Sequence, residues 1–203
     1  MNLPPDFFLQ DTVTVARRLL GCILHHRIDG DLLSGRIVET EAYLGANDRA
    51  SHARGGLRSA RNESMYLEGG HAYVYFTYGM HFCMNVVTQQ SGISEAVLLR
   101  AVEPLRGIER MKRNRAKAKR EIDLTNGPGK LCQAMEIDRS LDGEWLRGER
   151  LWLTAPKEEI AEESIGISPR VGIDNSGDAI WWPLRFFIRS NSWVSRARIA
   201  EYR

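Results

Sequence analysis

The sequence predicts an α+β fold in one domain, built on a mostly antiparallel sheet, and three observations carry that reading. Apolar and polar residues alternate with a period of two through several stretches, Gly-containing hairpin turns join the first of them in pairs, and helical spacing appears only in short segments between strand candidates. The chain has 203 residues, 43% of them apolar and 27% charged, the proportions of an ordinary globular protein and enough for one substantial core. It has no internal repeat, low-complexity tract or long uncharged apolar run, which excludes a membrane-spanning helix. The opening MNLPPDFFLQD has an early Asp6 and no basic segment leading into an apolar one, so it does not read as a secretory signal and the expected location is inside the cell. Cys22, Cys83 and Cys132 are widely spaced with no CxxC, so each reads as a small buried residue rather than part of a disulfide framework or zinc site.

Asp11 is the expected N-cap of a short helix, DTVTVARRLL, that Gly21 ends. CILHHRI reads as a strand, turned by Asp29-Gly30 into a second strand containing RIVETEAYLG. Strict alternation there puts Ile37, Glu39, Glu41 and Tyr43 on one face, and the bland reading is an edge strand with a solvated acidic side. From Gly45 to Gly70 the chain is polar and loop-like. AYVYFTYGMHFCMNVVT forms a second hairpin with Gly79 at its turn, and AVLLRAVEP is a buried strand that admits the single charge of Arg100. A helix follows over the basic run RGIERMKRNRAKAKR, and another starts near Lys130 after Gly127-Pro128-Gly129. The last third, through RVGID, DAIWWPLRFFIR and SWVSR, alternates strand-like runs with turns.

Several groups in this layout can carry chemistry. Arg100 among apolar strand residues needs a carboxylate or phosphate partner, and Glu41 is the protein candidate. Tyr43, Tyr73 and Tyr75 can line a pocket for a flat ring, with Asn85 either addressing its edge or tying down backbone, and His52 either a polar contact or a plain loop histidine. The tip Tyr78-Gly79-Met80 is unusually apolar for a turn; it either packs inward or projects to insert between base steps. Net charge is only +2, but Arg106 to Arg120 holds eight basic residues against Glu109, a surface suited to a polyanion if it is not merely a solvated helix face. No His, Cys or acidic spacing matches a metal site, and GPGK lacks the rest of a phosphate loop.

Taken in order, VETEAYLG, SHARGG, Arg61-Asn62, YVYFTYGMHFCMN, VLLRAVEP, GPGKLCQA, RVGI and PLRFFIR resemble the alkyladenine (3-methyladenine) DNA glycosylase family of the mammalian type, from about Leu3 to Ser195. The resemblance implies a single domain over residues 1–203, with a curved antiparallel sheet flanked by helices and a protruding hairpin that inserts into duplex DNA. It implies excision of alkylated or deaminated purines, with 3-methyladenine, 7-methylguanine, hypoxanthine and ethenoadenine as unranked candidates, without strand cutting. The partner is duplex DNA holding a damaged purine; the expected form is a monomer with no metal, cofactor or membrane contact, nucleoid-associated in a bacterial cytoplasm or else nuclear. By position, Glu41 resembles the water-activating carboxylate, Arg100 a positioner of that water, and Val171 the donor of a nearby backbone carbonyl. Tyr43, His52 and Tyr75 resemble the base-gripping pocket, Asn85 the residue that disfavours a guanine amino group, and Tyr78 the wedge; Lys112, Arg113 and Arg115 are the expected phosphate contacts. The chain departs from the family at His81, where Tyr is familiar, and in a longer turn at Ser91 to Glu95. Two other readings remain open on the residues alone: an O-glycoside hydrolase using Glu39 with Glu41, and a noncatalytic minor-groove DNA-binding protein.

Overall fold

The computed structural model describes residues 1–195. Its centre is one eight-stranded sheet in which neighbouring strands pair antiparallel, with the continuous order β3-β4-β5-β2-β1-β6, while β8 also joins β2 and carries β7. The strands are β1 (Ile23–Ile28), β2 (Asp31–Tyr43), β3 (Ala72–Thr77), β4 (His81–Thr88), β5 (Glu95–Arg106), β6 (Leu151–Thr154), β7 (Ile165–Ser168) and β8 (Arg185–Ile188). Three short α-helices accompany them: α1 (Thr12–Arg18), α2 (Ile108–Asn114) and α3 (Pro128–Ala134). No helix among the described residues is long and apolar enough to cross a membrane.

Local chemistry explains the first elements. The Asp11 carboxylate accepts from the Thr14 N–H at 3.0 Å, satisfying one free donor at the start of α1. The β1–β2 hairpin turns through Asp29 and Gly30, both at positive φ (52° and 86°), as a two-residue turn matched to strand twist requires. α1 and α3 lie against one face of the sheet, where Val15, Leu19, Leu24, Ile37, Val74, Met84, Val86, Val97, Leu99, Leu131 and Phe186 form the main core. A smaller cluster of Ala53, Met65, Tyr73, Val87 and Ala96 lies apart from it, beneath the polar loop that follows β2.

The structure corrects several expectations. β2 is no edge strand: it runs between β1 and β5 and also pairs with β8, and Glu39 and Glu41 are both fully buried. Simple alternation also fails along it, because the register with β5 slips between Ile37 and Glu39 and again between Glu39 and Thr40. With that irregularity, Ile37 and Ala42 both belong to the main core and Glu39, Glu41 and Tyr43 face away from it. The helix over the basic run stops at Asn114, α3 starts at Pro128, two residues before Lys130, and residues 170–174 and 192–195 are bends and turns, the Arg196 of SWVSR lying outside the described residues. Within DAIWWPLRFFIR only Arg185–Ile188 is strand, after a 3-10 turn at Gly177–Trp181.

Gly70 leads the chain from the polar loop into β3 with φ at +98°, and a Cβ there would stand 2.5 Å from the Trp145 ring and 2.9 Å from Phe8. Both the dihedral and the crowding oppose a side chain, so Gly70→Ala is expected to lower unfolding free energy by about 2–3 kcal/mol. A urea midpoint equal to wild type would show that Trp145 gives way freely.

Candidate active site

The sheet face opposite the main core carries one cross-strand row. Tyr73 on β3 stands opposite Asn85 on β4, Asn85 opposite Leu98 on β5, Leu98 opposite Glu41 on β2, and Glu41 opposite Arg185 on β8. Residues in register across a sheet share a face, so five strands bring their side chains to one surface. Over it lies a cavity of about 690 Å³ lined by Tyr43, His52, Tyr75, Tyr78, Asn85, Arg100 and Val171, together with Tyr73 and two loops, 49–54 and 171–176. All seven of those first residues were singled out in the sequence.

Glu41 stands immediately behind this wall, held by groups that line it. Its Oε1 accepts the Val171 N–H at 2.7 Å and lies 3.2 Å from Arg100 Nη1, and its Oε2 accepts the Tyr43 hydroxyl at 3.0 Å. Three donors thus converge on its two oxygens. Val171 reaches Glu41 through its amide N–H. Burial, and next the Glu41 charge, push the Tyr43 phenol well above its ordinary range, so it remains a donor.

Glu39 has a different setting. Arg100 Nε donates to its Oε1 at 2.8 Å and Arg185 Nε at 2.7 Å, while the Ser195 N–H and hydroxyl each donate to it at 2.7 Å. Burial would raise its carboxyl, but the charges of Arg100 and Arg185 outweigh that and hold it below the usual range. Burial likewise opposes the charge on Arg100, and Glu41 and Glu39 together more than offset it. The guanidinium of Arg100 is therefore shared between the two acids.

The aromatic wall is tightly organised. His52 Nδ1 lies 2.8 Å from the Tyr73 hydroxyl, and its ring meets Tyr75 edge-on with centroids 4.5 Å apart. Burial, then the nearby Arg61 and Arg54, lower its pKa to about 4, so the imidazole is neutral at pH 7. Asn85 is buried with Nδ2 donating to the Tyr73 carbonyl at 3.1 Å, so it ties down backbone and lines the cavity at once.

At the cavity's edge the β3–β4 hairpin projects. Thr77 pairs with His81, leaving Tyr78-Gly79-Met80 as the loop, and Tyr78 and Met80 are 79% and 68% exposed. Gly79 has φ +66°, and Tyr78 itself sits at φ +52°, a left-handed conformation that bulky residues enter seldom. His81 packs against Gly129 at the start of α3.

The basic run is not part of this surface. Met111 anchors α2 in the main core, Lys112 pairs with Glu109 at 2.8 Å and Glu121 at 3.6 Å, and Arg115 donates to Gln133 at 2.6 Å. Arg110 is engaged by Glu136 at 2.6 Å and Asp31 at 2.9 Å, and Arg113 has no ion pair among the described residues.

Sequence reasoning missed four residues that build the site: Arg185 and Ser195 on Glu39, and the buried pair Asp48–Arg170 flanking the cavity loops. Arg185, a charge flanked by Leu184 and Phe186 inside PLRFFIR, gave the same kind of signal that singled out Arg100; the other three gave none without tertiary contacts.

Comparison with known proteins adds an independent finding. A protein-family model described as "Methylpurine-DNA glycosylase (MPG)" matches residues 6–192. A Clostridium acetobutylicum protein named "Putative 3-methyladenine DNA glycosylase" is 47% identical, the match covering 96% of this chain and 98% of that protein. The mouse protein named "DNA-3-methyladenine glycosylase" is 44% identical over 98% of this chain and 63% of its own length, and the human one 43% identical over 97% and 69%.

The neutral His52 sets a pH dependence. Below its ordinary pKa of 6.5 the unfolded chain takes up a proton that folded His52, held near 4, refuses. Its contribution to stability is complete above pH 6.5 and is lost as pH falls toward 4. The stability of wild type relative to His52→Gln, measured by denaturant unfolding across that interval, is expected to fall with acidification; parallel curves would assign the acid sensitivity to other groups.

Proposed function

The chain belongs to the methylpurine-DNA glycosylase family, and on that premise we propose that it excises alkylated purines in base-excision repair, using a water activated by Glu41. One observation carries the reading: a carboxylate addressed by three donors lies directly behind an aromatic cavity whose wall includes those same donors. Breaking an N-glycosidic bond builds positive charge on the sugar, which a fixed carboxylate stabilises while it accepts a proton from the attacking water. The reaction requires the Tyr43 hydroxyl to release Oε2 to that water, with Arg100 orienting it. Ring faces of Tyr43 and Tyr75 suit an alkylated purine, which already carries positive charge, and a neutral His52 does not repel it. The ready departure of such a base leaves little work for a general acid, and damaged bases also unstack more cheaply, which favours their extrusion. 3-Methyladenine is the first expected substrate, with 7-methylguanine, hypoxanthine and ethenoadenine tested beside it, and Asn85 is the group that disfavours a guanine amino substituent.

The exposed, apolar Tyr78 is the wedge that fills the gap left in the base stack. Lys112, Arg113 and Arg115 meet phosphates away from the extruded nucleotide, the first and last by exchanging their internal partners for DNA. The saturated Glu39 disfavours the two-acid hydrolase reading, since its carboxylate is committed to Arg100, Arg185 and Ser195.

The direct test is chromatography of free bases released from methylated duplex DNA; binding without release would favour an architectural role. Glu41→Gln is expected to slow single-turnover release by about 10²–10⁴-fold with folding intact. Glu39→Gln leaves two buried guanidiniums short of a counter-charge and is expected to cost about 3–5 kcal/mol of stability. Equal catalytic loss in both variants, each fully folded, would favour the two-acid mechanism instead. Tyr78→Ala is expected to impair release from duplex DNA by more than tenfold (about 1.4 kcal/mol) and far less from single strands; undiminished duplex activity would remove the wedge.

A further inference from the structure

Asp48 and Arg170 form an ion pair with neither side chain exposed. The guanidinium engages both carboxylate oxygens, Nη1 meeting Oδ2 and Nη2 donating to Oδ1 at 2.8 Å. What the pair grips beyond itself is backbone. Asp48 accepts the N–H groups of Leu44 at 3.1 Å and Ala50 at 3.0 Å, while Arg170 donates to the carbonyls of Ala42 at 3.0 Å and Ala179 at 3.4 Å. The Arg170 guanidinium carbon also lies 4.7 Å from the centre of the Tyr43 ring. A single ion pair thus pins the end of β2 to both loops that wall the cavity, the one that continues from Asp48 through His52 and the one that continues from Arg170 through Ser176. The residue after Arg170 is Val171, whose N–H sits on Glu41.

We propose that Asp48 and Arg170 are positioning residues for the reaction, setting the Val171 N–H on Glu41 and the Tyr43 ring in the cavity wall, rather than residues the fold needs for its stability. Neither lines the cavity, so they act through Val171 and Tyr43. A buried ion pair is a weak source of net stability because desolvation offsets its attraction, and apolar side chains of similar volume often replace one at no loss. They cannot replace the four backbone contacts. The proposal rests on the functional reading above, and its test separates the two.

The double variant Asp48→Leu/Arg170→Met removes every contact of the pair without leaving a lone charge. It is expected to unfold at a denaturant midpoint close to wild type, while amide hydrogen exchange at Ala50 and Val171 quickens by at least about tenfold and single-turnover release from methylated duplex DNA falls about 100-fold. Arg170→Lys, which keeps the charge but loses the planar fork, is expected to fold and to show the same exchange and rate defects in milder form. Wild-type exchange at Val171 in either folded variant overturns the proposal, as does a double variant that cannot fold while Arg170→Lys behaves as wild type. If wild type itself releases no base, the functional reading fails, and the Val171 exchange rate still decides whether the pair positions that amide.

Discussion

The guanidinium of Arg100, shared between Glu39 and Glu41, is the constraint around which the sheet is arranged. Two carboxylates with no solvent exposure and only Thr40 between them cannot be buried without counter-charges, because the desolvation of each would exceed anything the surrounding apolar contacts return. Arg100 supplies one and Arg185 the other. That requirement places β2 between the strands that bring them, β5 on one side and β8 on the other, so the acidic strand must be central. The register irregularity around Glu39 serves the same end: it turns the acids and Tyr43 to the side away from the main core while Ile37 and Ala42 stay within it.

The sheet therefore has two faces with separate tasks. One is sealed by α1 and α3 over a continuous apolar core, which makes the strands a rigid floor. The other presents the row from Tyr73 to Glu41, roofed by loops that carry His52 and Val171. Rigid strands fix the carboxylate and its guanidinium, and loops supply the groups that a ligand must meet; this division lets reactive geometry stay fixed while access is governed by the loops. A low-dielectric setting strengthens each charged hydrogen bond on Glu41, which is the condition under which a fixed negative charge has most effect on a developing positive one.

The hairpin tip follows a related logic. Tyr78 is held in a left-handed turn between two paired strands, so its ring is presented to solvent by a framework that need not reorganise to use it. Family membership points to a nucleic acid, and within the basic run Arg110, Lys112 and Arg120 each meet an acid while most of the other basic side chains are exposed.

By itself the sequence determined the local elements and the chemical inventory. Asp11 before an amphipathic run sets α1, Asp29-Gly30 and Gly79 set the hairpins, and period-two alternation sets the aromatic side of β3, since each depends on residues a few positions apart. Glu41, Arg100 and the tyrosines were conspicuous for the same reason, as polar groups in apolar surroundings. Tertiary structure alone decided that Glu39 and Glu41 are buried rather than solvated, that Val171 turns its N–H to Glu41, that Arg185 and Ser195 bind Glu39, and that Asp48 and Arg170 pair beneath the cavity loops. It also paired Arg110 with Glu136 and Asp31, and Lys112 with Glu109 and Glu121, while most of the basic side chains stay exposed. Periodicity encodes which side chains share a face of one strand; which charges then meet depends on strand register and loop closure over more than a hundred residues, as with Glu39 and Ser195, 156 positions apart.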